Sequence, residues 1–216
     1  IMPSLVGSEM CIRDSDISVD DEKYNDTVSK VLENNCFWER FPEFLSRAYA
    51  LGGGVIKVYL EDSVIRLNYI NADRFFPTKW NNRQITEGIF CNDYVQNGFY
   101  YKLFEYHTLQ SDGVHIYHIL RRSDSRSYLG QSVPVSELFP ELEYEMVFKG
   151  VQKPLFCYFK PAVGNNMVFD LPLGLPVFAN SIDTLREIDV IFDSLEREFI
   201  LGKKRCLLYT SPSPRD

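Results

Sequence analysis

From Val55 to Arg121 the chain is a run of β-branched and aromatic segments cut by short turn sequences, and this punctuation constrains the fold most. VIKVYL (55–60) and VIRLNYI (64–70) flank Glu61-Asp62-Ser63 and read as a hairpin. Asn97-Gly98 sits between QITEGIFCND and FYYKLFEYH. An Asn-Gly pair favours a two-residue hairpin turn because both residues tolerate positive φ. Asp112-Gly113 then leads into VHIYHILR, which predicts a three-stranded antiparallel meander.

Helical patterns flank this region. After an acidic loop at 16–22, Val28, Val31, Leu32 and Cys36 recur at spacings of three and four, with Asn25 or Asp26 as the N-cap. Pro42 suits the first turn of a second helix that turns Phe44, Leu45, Ala48, Tyr49 and Leu51 inward. Gly52, Gly53 and Gly54 then stop it. Further on, 129–153 is broken by Gly and Pro; SELFPELEY within it allows one short helix, and KPLFCYFKP (153–161) reads as another strand. From Ser181, Ile182, Leu185, Ile188, Phe192, Leu195 and Phe199 form a continuous apolar stripe. Ser181 is placed to cap this last helix and Gly202 to close it, with Lys203, Lys204 and Arg205 facing the negative end of its dipole. Its other side is acidic, with Asp183, Glu187, Asp189, Asp193, Glu196 and Glu198. The expected class is α+β: two N-terminal helices, an antiparallel hairpin and meander sheet, and a long amphipathic C-terminal helix.

The two ends of the chain are related at the level of DNA. LVGSEMCIRD (5–14) can be encoded as CTC GTG GGC TCG GAG ATG TGT ATA AGA GAC. CLLYTSPSPRD (206–216) can be encoded by a string that is, apart from its outermost bases, the reverse complement. One oligonucleotide inserted in opposite orientations explains both, and it resembles a transposase-end sequencing adapter. Residues 1–15 and 206–216 are therefore expected to be adapter-derived and set aside from fold reasoning. The expected organisation is a domain at 16–180 and a helix at 181–205, in a parent protein that continues beyond both ends.

Composition narrows the chemistry. The formal net charge is −7, which argues against a dedicated binder of phosphate backbones. Setting the tails aside leaves Cys36, Cys91 and Cys157, an odd number without a CxxC, which is neither a disulfide framework nor a zinc site; buried thiols are expected. No run of about 18 apolar residues is present, so no membrane span is expected. GGGVIK lacks the P-loop spacing, because its glycines leave a helix and enter a strand. His115 and His118, three apart in a strand, point to opposite faces, whereas His107 lies within reach of one of them across a hairpin; partly exposed sheet histidines are expected rather than a metal site. Phe99, Tyr100, Tyr101, Phe104, Tyr106 and Tyr117 offer a stacking platform, but sheets favour aromatics for packing and no Lys or Arg interleaves them regularly. No catalytic residues, cofactor or metal is assigned, and the chain is not read as an enzyme.

Two passages carry a family resemblance. In 44–90, a helix, a glycine stop and a hairpin lead into Asn71-Ala72-Asp73-Arg74-Phe75-Phe76-Pro77. In 153–205, a strand leads through Asn165-Asn166 and Pro172-Leu173-Gly174 to the helix bearing Asp183, Asp189 and Asp193. Together they resemble the portal proteins of tailed bacteriophages, in the branch common among phages of Gram-positive hosts. That resemblance implies a structural subunit of a ring, typically of twelve subunits, at one capsid vertex, through which double-stranded DNA is packaged and ejected. The packaging motor and head-completion proteins dock on such a ring. The fragment then corresponds to the wing, with the Ser181 helix leading toward the stem and the clip and crown beyond Arg205. Its expected location is the virion, and the host cytoplasm during assembly. Ile182, Leu185, Ile188, Phe192, Leu195 and Phe199 become candidates for subunit packing, and Asp183, Glu187, Asp189 and Asp193 for an acidic face toward the DNA channel. Acidic charge there fits passage without sticking, since phosphate contacts bind non-specifically and tightly.

Two other readings compete. A minor capsid or head–tail adaptor protein has the same composition. A carbohydrate-binding or hydrolase β-domain requires exposed Tyr100, Tyr101 or Tyr117 beside paired carboxylates.

Overall fold

The computed structural model describes residues 17–209 apart from Arg83 and Phe169; the leading tail, Asp16 and the end from 210 lie outside it. The described residues divide into two compact units at Pro176/Val177. The fold is α+β.

The first unit opens with α1 (Glu22–Asn34) and α2 (Phe37–Leu51). The cap of α1 is Asp21, whose side chain accepts from Lys23 N at 3.1 Å, not Asn25 or Asp26. Asn25 lies inside the helix and accepts instead from Val19 N at 3.1 Å. Cys36 does not extend the stripe of α1. It sits at φ 49° in the left-handed region, so the chain turns a corner there. Asn35 fixes that corner by donating to Val31 O (2.7 Å) and Ile65 O (3.0 Å) and accepting from Leu67 N (2.8 Å). One side chain thus supplies the missing hydrogen-bond partners along the free edge of a strand.

Pro42 lies in the interior of α2 rather than in its first turn. The helix begins earlier because Phe37, Phe41 and Phe44 stack in sequence, with centroids 4.7 and 6.1 Å apart. Aromatic packing offsets the hydrogen bond that proline cannot make. Phe44 and Ala48 are buried, whereas Tyr49 and Leu51, expected inside, are exposed. Gly52 ends α2 at φ 84° as expected.

The sheet region forms two antiparallel sheets. β1 (Gly54–Glu61) is central in the smaller, between β2 (Val64–Asn71) and β9 (Phe156–Phe159). Asp62 and Ser63, both at positive φ, make the β1–β2 turn. The larger sheet has the order β3-β4-β5-β6-β7, with β8 also on β6. Its strands are β3 (Phe75–Asn81), β4 (Gln84–Gln96), β5 (Phe99–Leu109), β6 (Gly113–Ser123), β7 (Gln131–Val133) and β8 (Glu145–Lys149). The meander β4-β5-β6 is present, with Asn97 and Gly98 at φ 52° and 80° in its first turn. Three further strands flank it. β3 was hidden by Pro77, which is tolerated because β3 is an edge strand with a register shift just after that residue. SELFPELEY forms only a 3-10 turn at Val135–Glu137. Pro140 lacks the N–H that a longer helix would need there.

Two clusters fill the interior. Val55, Ile70, Phe75, Ile85, Phe90 and Phe156 join the sheets, and Tyr101, Leu103, Leu120 and Val135 lie beneath the segment after β7. The second unit contains a 3-10 turn (Ala179–Ser181) and α3 (Ile182–Tyr209). Ser181 therefore belongs to a turn that runs directly into the helix. Gly202 does not close α3, which runs on through Cys206 to Tyr209. An internal glycine costs only about 1 kcal/mol relative to alanine, too little to end a helix without a left-handed cap.

Candidate functional site

Lys57 and Glu105 each lie in phase with core residues of their strands. Lys57 follows Val55 on one face of β1, and Glu105 stands between Leu103 and His107 on β5. Folding presses these charges together, Lys57 Nζ to Glu105 Oε2 at 2.6 Å. Asn92 donates to the other carboxylate oxygen at 3.2 Å. The Lys57 ammonium also lies 5.2 Å from the Phe90 ring centroid. Burial alone would raise the Glu105 carboxyl, but the Lys57 ammonium in direct contact with it outweighs this and the carboxyl is held at about 2.

The three histidines are buried, not partly exposed. On the ladder His107 faces Ile116 and Glu105 faces His118, so His107, Glu105 and His118 share one face while His115 takes the other. Burial pushes His107 down, so it is neutral. Its Nε2 stands 3.6 Å from Glu105, beyond hydrogen-bond reach, and neither ring nitrogen has a hydrogen-bond partner among the described residues. His118 Nδ1 instead meets Glu143 O at 2.9 Å. These groups line a cavity of about 480 Å³ with Met146 and Phe148 on its wall. Among the described residues no three His, Cys, Asp or Glu side chains gather as metal ligands. The cluster is one that sequence reading missed. Its signal was a lysine and a glutamate, each on the core phase of a strand.

On the opposite face His115 lies between two carboxylates, Nδ1 to Glu145 Oε1 at 2.9 Å and Nε2 to Asp112 Oδ1 at 3.0 Å. The aromatic group divides between the faces. Tyr101 is buried and donates to Glu137 at 2.9 Å, while Tyr106 pairs with Tyr117 across the ladder on the other side. Of Cys36, Cys91 and Cys157, Cys91 is buried, while Cys36 and Cys157 are exposed, because one lies at the helix corner and the other on an edge strand.

The glycines of GGGVIK are packing positions. A Cβ on Gly54 would fall 2.5 Å from the Phe44 ring, and one on Gly52 2.8 Å from Pro176. The Asn165–Gly174 passage closes over the same corner. Asn165 donates to Leu173 O at 3.0 Å and accepts from Met167 N and Val168 N. Tyr158 OH accepts from Gly174 N at 3.3 Å, and Pro172 is fully buried. Both passages that carried the family resemblance thus converge on the α2–β1 junction.

In α3 the stripe residues Ile182, Leu185, Ile188, Phe192, Leu195 and Phe199 are exposed, Phe192 most of them at 71 %. Val190, Ile191, Ile200 and Leu201, outside the stripe, are exposed as well. Asp183, Glu187, Asp189 and Asp193 are exposed, with Asp183 3.8 Å from Arg186. No helix among the described residues is long and apolar enough to cross a membrane.

Two antiparallel sheets, a helical corner closed by a Pro-Leu-Gly loop, and a helix rich in exposed apolar side chains define an α+β building block. The sequence pattern described as "Phage portal protein, SPP1 Gp6-like" matches residues 9–204. The chain belongs to that family of phage portal proteins, a structural class. The match begins within the stretch expected to be adapter-derived. No curated protein matches the chain.

Proposed function

We propose that the chain is the wing-and-helix portion, 16–205, of a ring-forming portal subunit at a virion vertex, flanked by adapter-derived residues at 1–15 and 206–216. In this reading the ring assembles in the host cytoplasm and passes double-stranded DNA without reading its sequence. The packaging motor and head-completion proteins dock on the ring, and the subunit itself performs no catalysis. The family match carries this reading over the adaptor and glycan-binding alternatives. Exposed apolar residues on α3 support the assembly part. A ring interface is head-to-tail, so each helix needs two different neighbours and apolar residues on more than one side. Fully burying side chains of this size stabilises by roughly 1.5–3 kcal/mol each. Ile182, Leu185, Ile188, Phe192, Leu195 and Phe199 pack against neighbouring subunits, and Asp183, Glu187, Asp189 and Asp193 turn toward the channel.

The test is to place Leu185→Asp and Phe192→Asp separately in the uninterrupted protein and count rings by electron microscopy. Both positions are exposed here, so the variants should remain folded by circular dichroism while losing rings. Normal rings from both variants would overturn the assignment of the stripe.

A further inference from the structure

We propose that Asp112, His115 and Glu145 form a pH-gated latch that holds strand β8 on the sheet and keeps one wall of the Lys57–Glu105 cavity closed. Ionised carboxylates only accept hydrogen bonds, and a neutral imidazole carries a single N–H. His115 contacts a carboxylate through each ring nitrogen, at 2.9 and 3.0 Å, so both contacts are favourable only for the imidazolium. Loss of its proton turns one of them into a lone pair facing a carboxylate.

β8 is sensitive to such a latch because, beyond its backbone pairing with β6, few of its side chains are buried. It pairs only with β6, and four of its five residues are exposed, Phe148 alone being half-buried. Backbone bonds bracket it, His118 N to Tyr144 O at 2.8 Å and Gly150 N to Asp112 O at 2.9 Å. The register sets Met146 opposite Ile116 and Phe148 opposite Val114, on the cavity side. Glu145 and Val147 fall on the side of His115. The latch therefore acts on one face of a strand whose other face walls the cavity.

The charged and titratable groups on the His115 side of the sheet come from several elements, among them β5, whose Tyr106 stands opposite Tyr117. The β5–β6 turn supplies Asp112, β8 supplies Glu145 with Lys149 beyond it, and β6 supplies Tyr117, whose hydroxyl accepts from Gln110 at 3.2 Å. Tyr144 packs 6.0 Å from Tyr117. Glu145 first, then Asp112, raise the His115 imidazolium above its ordinary range, and His115 lowers both carboxyls. The signs give a window. The histidine contribution is complete below about pH 6.5 and is lost as pH rises through the raised value. The carboxylate contribution is complete above about pH 4 and is lost as pH falls through the lowered values. The latch is closed in between and opens on both sides.

Amide hydrogen exchange of the full chain, corrected for intrinsic pH dependence, tests this on the peptide spanning 143–150, with β5 as reference. Its exchange relative to β5 should be slowest between about pH 5 and 6.5 and roughly two- to fivefold faster once His115 deprotonates, the scale of an exposed ion pair. H115Q should flatten both limbs. E145Q, at an exposed position, should speed β8 exchange at pH 6 and leave β5 unchanged. Ring 15N shifts should show His115 titrating above the ordinary histidine value. A β8 that tracks β5 at every pH, or a His115 that titrates at the ordinary histidine value, would overturn the latch.

Discussion

The two faces of the large sheet carry nearly the same ingredients and put them to opposite use. On the face toward β1, Glu105, His107 and His118 meet Lys57 in the interior. On the other, His115 meets Asp112 and Glu145 near solvent. His107 is buried beside a lysine, so its proton is driven off. His115 lies between two anions, which raise its hold on a proton. His107 and His115 are shifted in opposite directions by their neighbours, and alternation along the strands is what gives them different neighbours. Desolvation governs the inner face and hydrogen-bond geometry the outer one.

The comparison is sharpest where one partner is removed. Glu105→Leu leaves Lys57 buried without its counter-ion and should cost about 3–5 kcal/mol by urea unfolding. The double variant Lys57→Met/Glu105→Leu should recover most of that loss, because a well-packed apolar pair commonly replaces a buried ion pair without penalty. A double variant no more stable than the single would mean that packing, not charge, sets the cost.

A smaller effect is expected from acid. With its carboxyl at about 2, Glu105 contributes stability that is complete above the ordinary glutamate range and lost as pH falls toward 2. The loss should be on the order of 2–3 kcal/mol between pH 5 and pH 2. It should vanish in the double variant, and a persistent slope there would assign the acid sensitivity to other carboxylates.

The smallest effect on global stability belongs to the outer face. Glu145→Gln should leave the urea midpoint within error of the parent while loosening β8 locally, since strand-edge openings occur below the global unfolding free energy. A midpoint shift as large as that of Glu105→Leu would erase the distinction between the faces. His107→Phe also probes it. Replacing two unpartnered ring nitrogens by a ring edge should change stability by less than about 1 kcal/mol, measured the same way.

Much of the strand framework was readable from short signals. Asn97-Gly98 and Asp62-Ser63 require positive φ, and a turn of that kind forces its flanking strands to be antiparallel neighbours. The strands at 75–81, 131–133 and 145–149 escaped notice for different reasons. The first contains a proline, and the other two are too short to show a period. The α1 cap was misplaced because Asp21, Asn25 and Asp26 are all good caps, and only Asn25's bond to Val19 N shows which were spare. Pro42 misled because a row of stacked phenylalanines outweighed a local rule.

The sequence by itself determined the leading helices, the β1–β2 hairpin, the β4-β5-β6 meander and the apolar stripe of α3, because dihedral preference and side-chain period act over a few residues. Only the tertiary structure decided that β9, about a hundred residues away, pairs with β1, that Lys57 and Glu105 meet, and that one histidine holds its proton less tightly and another more tightly than usual. Those outcomes depend on water being excluded by groups distant along the chain, and no local pattern records which groups those are.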